Sequence, residues 1–168
     1  MTRGGAAIGT LVFFFVAPGI VAGAIPAAIT GWRFPDPLPL SGMLAVLGVV
    51  LLIPALWVLI DSFVRFARSL GTPAPIAPTE RLVVDGWYRH VRNPMYFAVV
   101  SIILAQALLF ASWPALVYGL VIFVTVHLFV VTYEEPTLRH QFPADYAAYF
   151  ANVPRWVPRL TPWRTEQI

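Results

Sequence analysis

Four long apolar runs divide the chain, and polar residues gather between and after them. The runs cover residues 6–29, 38–60, 95–111 and 114–131. Each is close to the roughly 20 apolar residues that a helix needs to cross a bilayer. The runs are continuously apolar and do not alternate with period two, which argues against a β-barrel. The pattern therefore predicts an all-α integral membrane protein with about four transmembrane helices.

Prolines interrupt the first run, and a very short link joins the last two. Pro18 and Pro26 predict a kink or a break, and a broken segment that re-enters the membrane would raise the number of segments to five. A signal peptide is the alternative for this run, but only Arg3 precedes it and its apolar stretch is longer than a usual signal core. Because only Ser112 and Trp113 separate the last two runs, we expect a tight antiparallel hairpin there.

The polar residues form two segments, 61–93 and 132–168, which both adjoin the hairpin. In the first, apolar residues interleaved with arginines predict an interfacial helix that ends at Gly71, and the proline-rich stretch after it must be extended. In the second, residues 134–150 are predicted to continue the fourth helix, and residues 153–158 to be extended. We expect one membrane domain, in which residues 1–60 form two spans, 61–93 a loop, 94–131 the hairpin and 132–168 a tail.

The composition and the distribution of charge support this picture and give it an orientation. The chain is 59% hydrophobic and 11% charged, which excludes an ordinary soluble domain and a disordered chain. All 11 basic residues are arginines, and they form no stripe that would suggest nucleic-acid binding. In the four-span arrangement every arginine except Arg33 falls on one side, so the positive-inside rule places both termini in the cytoplasm. Asp61 and Arg65, four residues apart, are predicted to form an ion pair.

Several common kinds of catalytic site are excluded by the residues present. The chain has no cysteine, so it has no disulfide, thiolate nucleophile or thiolate metal site. Its histidines, His90, His127 and His140, do not have the spacing of metal ligands, and we predict no metal site. No nucleophile-elbow or glycine-rich phosphate motif is present.

Chemically active residues instead concentrate near the polar ends of the hairpin helices, in residues 86–96, 134–149 and 153–158. A purely structural interpretation explains part of this, since Pro94 can start a helix and arginine and tyrosine anchor helices at lipid headgroups. It explains Glu134 and Glu135 less well, because two carboxylates at the C-terminal end of an apolar helix meet the negative end of its dipole. These carboxylates require a cationic partner, either nearby arginines or a cationic ligand.

The three segments, in this order and spacing, resemble the membrane methyltransferase superfamily, which includes isoprenylcysteine carboxyl methyltransferase and phospholipid N-methyltransferases. The resemblance rests on Gly86-Trp87-Tyr88, on Arg92-Asn93-Pro94-Met95-Tyr96, on the glutamate pair and on Val153-Pro154-Arg155, and it covers about half the chain. It implies an enzyme that uses S-adenosylmethionine and releases S-adenosylhomocysteine, with the cofactor bound on the cytoplasmic side. The short chain and its Arg-Asn-Pro sequence favour a bacterial inner membrane.

The same resemblance implies which residues bind the cofactor. Glu134 matches the glutamate that holds the cofactor in the family. The other implied cofactor-binding residues lie before the third span, at its start or beside Glu134, and they are Glu80, Arg81, Leu82, Val83, Tyr88, Arg92, Asn93, Pro94, Met95, Tyr96 and Glu135.

The acceptor is implied to be lipophilic and embedded in the membrane: an isoprenylcysteine-like carboxylate, or an amine, thiol or phenol on a hydrophobic body. Val130 stands where the eukaryotic enzymes have an arginine linked to the acceptor carboxylate, which puts a carboxylate acceptor in doubt. Phe142-Pro143 in place of Phe-Gly is a second, local departure. Membrane lipids are the other expected partners, nucleic acid is not expected, and the sequence leaves the oligomeric state open.

Tyr96 and His127 are the candidate catalytic residues. His127 lies seven residues before Glu134 and shares its helix face, and a histidine in a span is a functional candidate by default. It could act as a base on a thiol, amine or phenol, or it could simply bond a backbone carbonyl in a neighbouring helix. Gln106 in the third span has a similar but weaker claim.

Two other functions remain open from the sequence. One is a sterol-reductase-like membrane enzyme that uses NADPH, since such enzymes have a similar tail, although they are usually longer. The other is a non-enzymatic membrane scaffold in which the arginines and aromatic residues are only anchors. The nucleotide that binds, if one does, would distinguish the three.

Overall fold

The computed structural model describes residues 16–35, 39–68 and 82–164, and within these ranges all regular structure is helical. Four apolar helices form the main body and two short helices cap one end. In chain order they are α1 (Val16–Thr30), α2 (Pro39–Arg68), α3 (Pro94–Leu109), α4 (Trp113–Phe129), α5 (Glu135–Gln141) and α6 (Pro143–Asn152). A 3-10 helix, Gly86–Arg89, precedes α3, and a π-helical turn, Val130–Glu134, joins α4 to α5.

Two of these helices are long and apolar enough to cross a membrane. The candidate spans are Leu40–Arg65, within α2, and Trp113–Gln141, which runs from α4 through α5. Only 22% and 17% of their most apolar windows are buried inside the protein, so these helices expose apolar surface rather than forming a soluble core. Helices α1 and α3 are apolar but shorter. The described residues thus have the character of an all-α membrane protein.

Helix α3 lies at the centre, and small residues let its neighbours approach closely. At Gly48 in α2, an added Cβ would lie 2.8 Å from the carbonyl oxygen of Ala105 and from the amide nitrogen of Leu109, so the two backbones are in direct contact. At Gly119 in α4 the contacts are with side chains, since an added Cβ would lie 3.1 Å from Leu104 and 3.2 Å from Ile103. Ala98, Ile103 and Ala105 of α3 are consequently inaccessible to solvent.

The predicted hairpin between the last two apolar runs is confirmed. Helix α3 ends at Leu109, Ala111 takes a positive φ of 47°, and Ser112 caps α4 by accepting a hydrogen bond of 3.3 Å from the amide of Ala115. The first polar segment begins differently from the prediction. Residues 61–68, expected to be an interfacial helix, continue α2 without a break. The remainder of that predicted helix and the proline-rich stretch lie outside the described residues.

Two prolines leave π-helical turns in otherwise regular helices. A proline has no N–H to bond the carbonyl four residues earlier, and its ring crowds that carbonyl. In α1 the turn Gly19–Ala24 precedes Pro26, and in the last span the turn Val130–Glu134 precedes Pro136. Each turn closes with a bond across five residues, from Ile25 to Ile20 in α1 and from Glu135 to Val130 in the last span. The predicted kink in the first run is thus a widened turn.

The carbonyl that Pro26 leaves without its helical partner explains Gln106. The amide of Gln106 donates to the Ala22 carbonyl at 2.7 Å and to the Ile102 carbonyl at 3.2 Å. Ala22 lies four residues before Pro26, so Gln106 supplies the hydrogen bond that the proline cannot. Tyr118 donates to the adjacent Val21 carbonyl at 2.9 Å. Gln106 therefore has a structural role in joining α3 to α1.

The two polar segments fold together into a cap over one end of the helices. Backbone bonds of 2.9 Å run from Arg92 to Pro154, from Arg159 to His90 and from Trp163 to Arg89. Tyr146, Tyr149 and Val153 form its small core, and Leu82 packs against them. Because the tail pairs with the residues just before α3, it holds that segment in place at the end of the apolar helices.

Candidate functional site

A cavity of about 300 Å³ lies between the cap and the helices, and most of the predicted cofactor residues line it. Its polar end is formed by the segment that leads into α3 and by the end of the π-helical turn after α4. The predicted residues that line it are Tyr88, Arg92, Asn93, Pro94, Met95, Tyr96 and Glu134. The structure therefore brings together residues that are some forty positions apart in the chain.

The rest of the cavity wall was not predicted from the sequence. Helix α1 contributes Pro18 and Val21, α2 contributes Phe63, and α4 contributes Thr125 and Val126, among others. These residues are apolar except for the threonine, whose hydroxyl donates to the Val121 carbonyl at 2.8 Å. The only signal in the sequence was the pair of prolines in the first run, which predicted an irregular helix but not what that helix contacts.

Glu134 places a carboxylate in this apolar surrounding. Its carboxylate accepts a hydrogen bond from the Tyr96 hydroxyl. Its Oε2 atom is buried and has no hydrogen-bond partner among the residues that the structure describes. A buried charge without a full set of partners is unfavourable by several kcal/mol. The Glu134 carboxylate is therefore suited to accept a hydrogen bond from a cationic ligand.

Glu135, the next residue, has the opposite surroundings. Arg155 donates to both of its carboxylate oxygens, at 2.7 and 3.0 Å, and Arg92 Nη1 lies 3.2 Å from Oε1. The hydrogen bond to Glu135 raises the pKa of Arg155 above its ordinary value. Glu135 is buried and does not line the cavity. The sequence left open whether the glutamates pair with nearby arginines or with a cationic ligand. In the structure, Glu135 pairs with two arginines.

Tyr88 and Asn93 are held by backbone and side-chain contacts beside the cavity. Gly86 begins the 3-10 helix with a φ of 55°, and a Cβ there would collide with the Arg65 guanidinium. The predicted ion pair of Arg65 with Asp61 is confirmed, at 2.7 Å.

Burial raises the pKa of Tyr88 well above its ordinary value, so its hydroxyl remains protonated. Asn93 donates to the Arg155 carbonyl at 3.2 Å and precedes Pro94 at the start of α3.

Besides Glu135, four of the predicted cofactor residues lie away from the cavity or outside the described residues. Glu80 and Arg81 fall in residues that the structure does not describe. Leu82 and Val83 are half-buried beneath the cap and do not line the cavity. Val130, at the position of the family's arginine, is fully buried and does not line the cavity either.

His127 also lies outside the cavity lining and has a specific partner. The indole N–H of Trp156 donates to His127 Nδ1 at 2.9 Å, and both rings lie near Phe123. Nδ1 is therefore the acceptor nitrogen, and a neutral His127 carries its proton on Nε2. Trp156 is 29 residues further along the chain, so sequence spacing gave no sign of it.

A larger apolar groove, about 540 Å³ in volume, lies on the other face of the α3–α4 hairpin. Its lining includes Phe97, Leu120 and Trp156 and carries no ionisable side chain. Within the described ranges, no group of three or more acidic residues or histidines could hold a metal ion. Of these two cavities, only the smaller one, around Glu134, is lined by ionisable side chains.

Residues 43–145 match the family model for phospholipid methyltransferase. This match covers more than half of the chain and includes Tyr88, Tyr96 and both glutamates, whereas Arg155 and Trp156 lie beyond it. No curated protein matches the chain. The chain belongs to the phospholipid methyltransferase family, the family of the isoprenylcysteine carboxyl methyltransferase-like membrane enzymes, and the predicted family is confirmed. Membership implies a membrane methyltransferase and a methyl donor.

Proposed function

We propose that this protein transfers a methyl group from S-adenosylmethionine to a lipophilic acceptor at the cavity around Glu134. The observation that carries the proposal is the Glu134 carboxylate, which has one buried oxygen without a described partner inside a largely apolar cavity. S-adenosylmethionine carries two cationic groups, a sulfonium and an α-ammonium, that a carboxylate stabilises. When bound, it supplies an electrophilic methyl group, and it leaves as the neutral thioether S-adenosylhomocysteine.

The surrounding residues hold Glu134 in position and exclude water. The Tyr96 hydroxyl fixes the carboxylate, and the aromatic faces of Tyr88 and Tyr96 suit a nearby cation. Asn93, Pro94 and Met95 complete the wall on this side. We extend the cofactor role to Glu80, Arg81, Leu82 and Val83 on the family resemblance alone.

The acceptor is proposed to enter from the bilayer along the apolar wall of α1 and α4. Thr125 lines the cavity and is exposed on the surface of α4, so the cavity reaches the lipid-facing side there. With Val130 buried, no clamp for an acceptor carboxylate is evident, which favours an amine, thiol or phenol on a hydrophobic body. Catalysis then rests on positioning and on removing water from the nucleophile.

His127 is not needed as a base in this proposal. A base must offer a free lone pair, and in neutral His127 the lone pair on Nδ1 accepts from Trp156 while Nε2 carries the proton. We therefore assign His127 to holding the tail against α4. Methyl transfer to a panel of lipophilic acceptors by the His127→Ala variant would test this assignment, and we expect transfer to be retained. Loss of transfer despite intact cofactor binding would instead support His127 as the base.

The orientation in the membrane is also a proposal. We infer four membrane segments, α1 to α4, with both termini in the cytoplasm, as the arginine distribution predicts. Reporter fusions at the C-terminus and between α1 and α2 should then read opposite sides of the membrane. Identical readings would contradict the four-segment arrangement.

The experiment that tests the function is calorimetry on the detergent-solubilised protein, with S-adenosylhomocysteine and NADPH in parallel. We expect S-adenosylhomocysteine to bind and NADPH not to bind. Neither the family match nor the described residues give evidence for the reductase or the scaffold. Binding of NADPH alone would favour the reductase, and binding of neither nucleotide would favour the scaffold.

A further inference from the structure

The end of the described chain exposes two large apolar side chains. Leu160 is 99% exposed and Val157 is 75% exposed, more than any other large apolar side chain that the structure describes. Both lie in residues 153–164, here called the C-terminal segment. Exposed apolar residues mark an interaction site when they continue a larger apolar patch. These two side chains therefore indicate such a site if the surface beside them is apolar too.

The surface beside them belongs to α4, which lies in a candidate membrane span. Trp156, at the start of this exposed stretch, packs against Phe123 with ring centroids 5.3 Å apart and donates to His127 Nδ1 at 2.9 Å. His127 lies eight residues before Glu135, which corresponds to about 12 Å along a helix. Trp156 also shares the lining of the apolar groove with Leu120, which is 61% exposed. The C-terminal segment therefore runs from the cap along the exposed apolar surface of α4.

The backbone of the C-terminal segment is compatible with the interface of a bilayer. Three of its residues are prolines and have no N–H, namely Pro154, Pro158 and Pro162. Three other N–H groups donate to backbone carbonyls at 2.9 Å, those of Val153, Arg159 and Trp163. Irregular chain is unfavourable beside lipid because its N–H groups lack acceptors. Half of the twelve residues thus leave no free N–H, and headgroups at the interface still offer acceptors to the rest.

The charges of the C-terminal segment are all positive. It contains Arg155, Arg159 and Arg164 and no acidic residue. Arg155 is engaged by Glu135, whereas Arg159 Nη1 donates to the uncharged Asn152 carbonyl at 2.8 Å and Arg164 is exposed. Neither Arg159 nor Arg164 forms an ion pair with another described residue. Two guanidinium groups therefore remain for an anionic ligand, and guanidinium suits phosphate because it can donate two parallel hydrogen bonds.

We propose that the C-terminal segment is a membrane-binding surface for anionic lipids. Val157 and Leu160 insert among the acyl chains of the leaflet beside the cap, and Arg159 and Arg164 bind lipid phosphates. Apolar residues flanked by arginines are typical of segments that lie in such an interface, where tryptophan is also enriched. Because the segment pairs with the residues before α3, lipid binding also holds the cap at the membrane surface. No residue of the segment lines the cavity around Glu134, so this surface is separate from the proposed chemistry.

The first test measures the contact with lipid directly. Because the chain has no cysteine, a fluorescent label on Leu160→Cys reports on that position alone. The Leu160 side chain is fully exposed and has no packing to lose, so the variant should fold. In nanodiscs with a quencher on the lipid acyl chains, we expect several-fold stronger quenching there than for the same label on Ala148→Cys. Ala148 is the matched control because it is exposed on α6 and lies outside the segment.

Two outcomes of this measurement would overturn the proposal. Equal quenching at the two positions would show that Leu160 has no special contact with lipid. A label that is shielded from water but not quenched by lipid would show that another part of the chain or a second copy covers Leu160, and shielding that depends on protein concentration would identify the second copy. The measurement uses no methyl donor, so its result is independent of the proposed function.

The second test examines the arginines by comparing phosphatidylcholine nanodiscs with and without phosphatidylglycerol. We expect the ratio of inserted to free label on Leu160→Cys to rise in the anionic bilayer, by about fivefold for each contacting arginine, and to fall again at high salt. Adding Arg159→Gln and Arg164→Gln together should abolish this rise. Arg139→Gln, at an exposed arginine of α5, should retain it. No rise, or a rise that survives the double substitution, would overturn the role of the arginines.

Discussion

Glu134 and Glu135 are adjacent in the chain but belong to two different regions, the cavity wall and the arginine-rich interior of the cap. Glu135 is held by Arg155 and lies beside Arg92, whereas Glu134 has the Tyr96 hydroxyl and one oxygen without a described partner. Successive residues of a helix point about 100° apart, so neighbours on one helix can face different surroundings. The comparison shows that helix phase, rather than residue type, separates the structural glutamate from the one suited to a ligand.

The π-helical turn determines the directions in which Glu134 and Glu135 point from the helix. It ends at Glu134, two residues before Pro136, and contains one more residue per hydrogen-bonded turn than a regular helix. A second π-helical turn, Gly19–Ala24, lies in α1 on another side of the same cavity. Such turns are frequent at functional sites. Here both follow from a proline two residues downstream, and both border the cavity.

The largest expected effect comes from removing the glutamate on the structural side. Glu135→Gln leaves Arg92 and Arg155 without their shared anion, and breaking a buried pair in this way is unfavourable by about 3–5 kcal/mol. We expect thermal unfolding in detergent at a markedly lower temperature than for the unaltered protein. If Glu135→Gln were as stable as Glu134→Gln, the contrast between the two glutamates would disappear.

For the glutamate that lines the cavity, we expect Glu134→Gln to weaken ligand binding without lowering the stability of the protein. It removes a buried charge that has few partners, so the unfolding temperature should be unchanged or higher. Binding of S-adenosylhomocysteine should weaken about ten- to a hundredfold, as expected for a charge-assisted contact of roughly 1.5–3 kcal/mol. Calorimetry gives the affinity, and an unchanged value would remove Glu134 from the site.

Among the apolar helices, Gln106 is a buried polar residue whose loss should affect stability but not ligand binding. Gln106→Leu leaves the Ala22 carbonyl without its 2.7 Å donor, which should destabilise the protein by about 1–3 kcal/mol. Because the Gln106 side chain does not line the cavity, the affinity for S-adenosylhomocysteine should change little. Lost binding at full stability would contradict the structural role and return Gln106 to the list of functional candidates.

The smallest expected effect is at Tyr96. Tyr96→Phe removes the hydroxyl that bonds Glu134 and keeps the ring, so affinity should fall about two- to tenfold, the range for a hydrogen bond of about 0.5–1.5 kcal/mol. The matched control is Tyr133→Phe, since Tyr133 precedes Glu134 and is 48% exposed. Equal affinities in these two variants would show that Tyr96 does not position the carboxylate.

Local patterns in the sequence were enough to predict much of the fold. Continuous apolar runs, the two-residue link at Ser112 and Trp113, and the four-residue spacing of Asp61 and Arg65 each depend on neighbours along the chain, and the structure agrees with them. The motif order also predicted that Tyr88, Asn93 and Glu134 belong to one site, and the structure places all three in the lining of one cavity.

Contacts between distant residues could not be predicted in this way. Gln106 and Ala22 are 84 positions apart, and His127 and Trp156 are 29 apart, so neither partner follows from spacing on one helix. The contribution of α1 to the cavity wall depends on how the helices pack. The assignment of the arginines to Glu135 rather than Glu134 depends on the helix phase at the π-helical turn, which the sequence does not reveal.

The pairing of the tail with the start of α3 has a consequence for biosynthesis. Glu135 is made 20 residues before Arg155, the residue that donates to both of its oxygens. While the chain is being synthesised, all four apolar helices are therefore complete before the cap can close. A nascent chain halted between these two residues would already contain its four apolar helices but would have no finished cap over the cavity. Methyl-donor binding should thus arise only after Arg155 has been synthesised and the cap has closed.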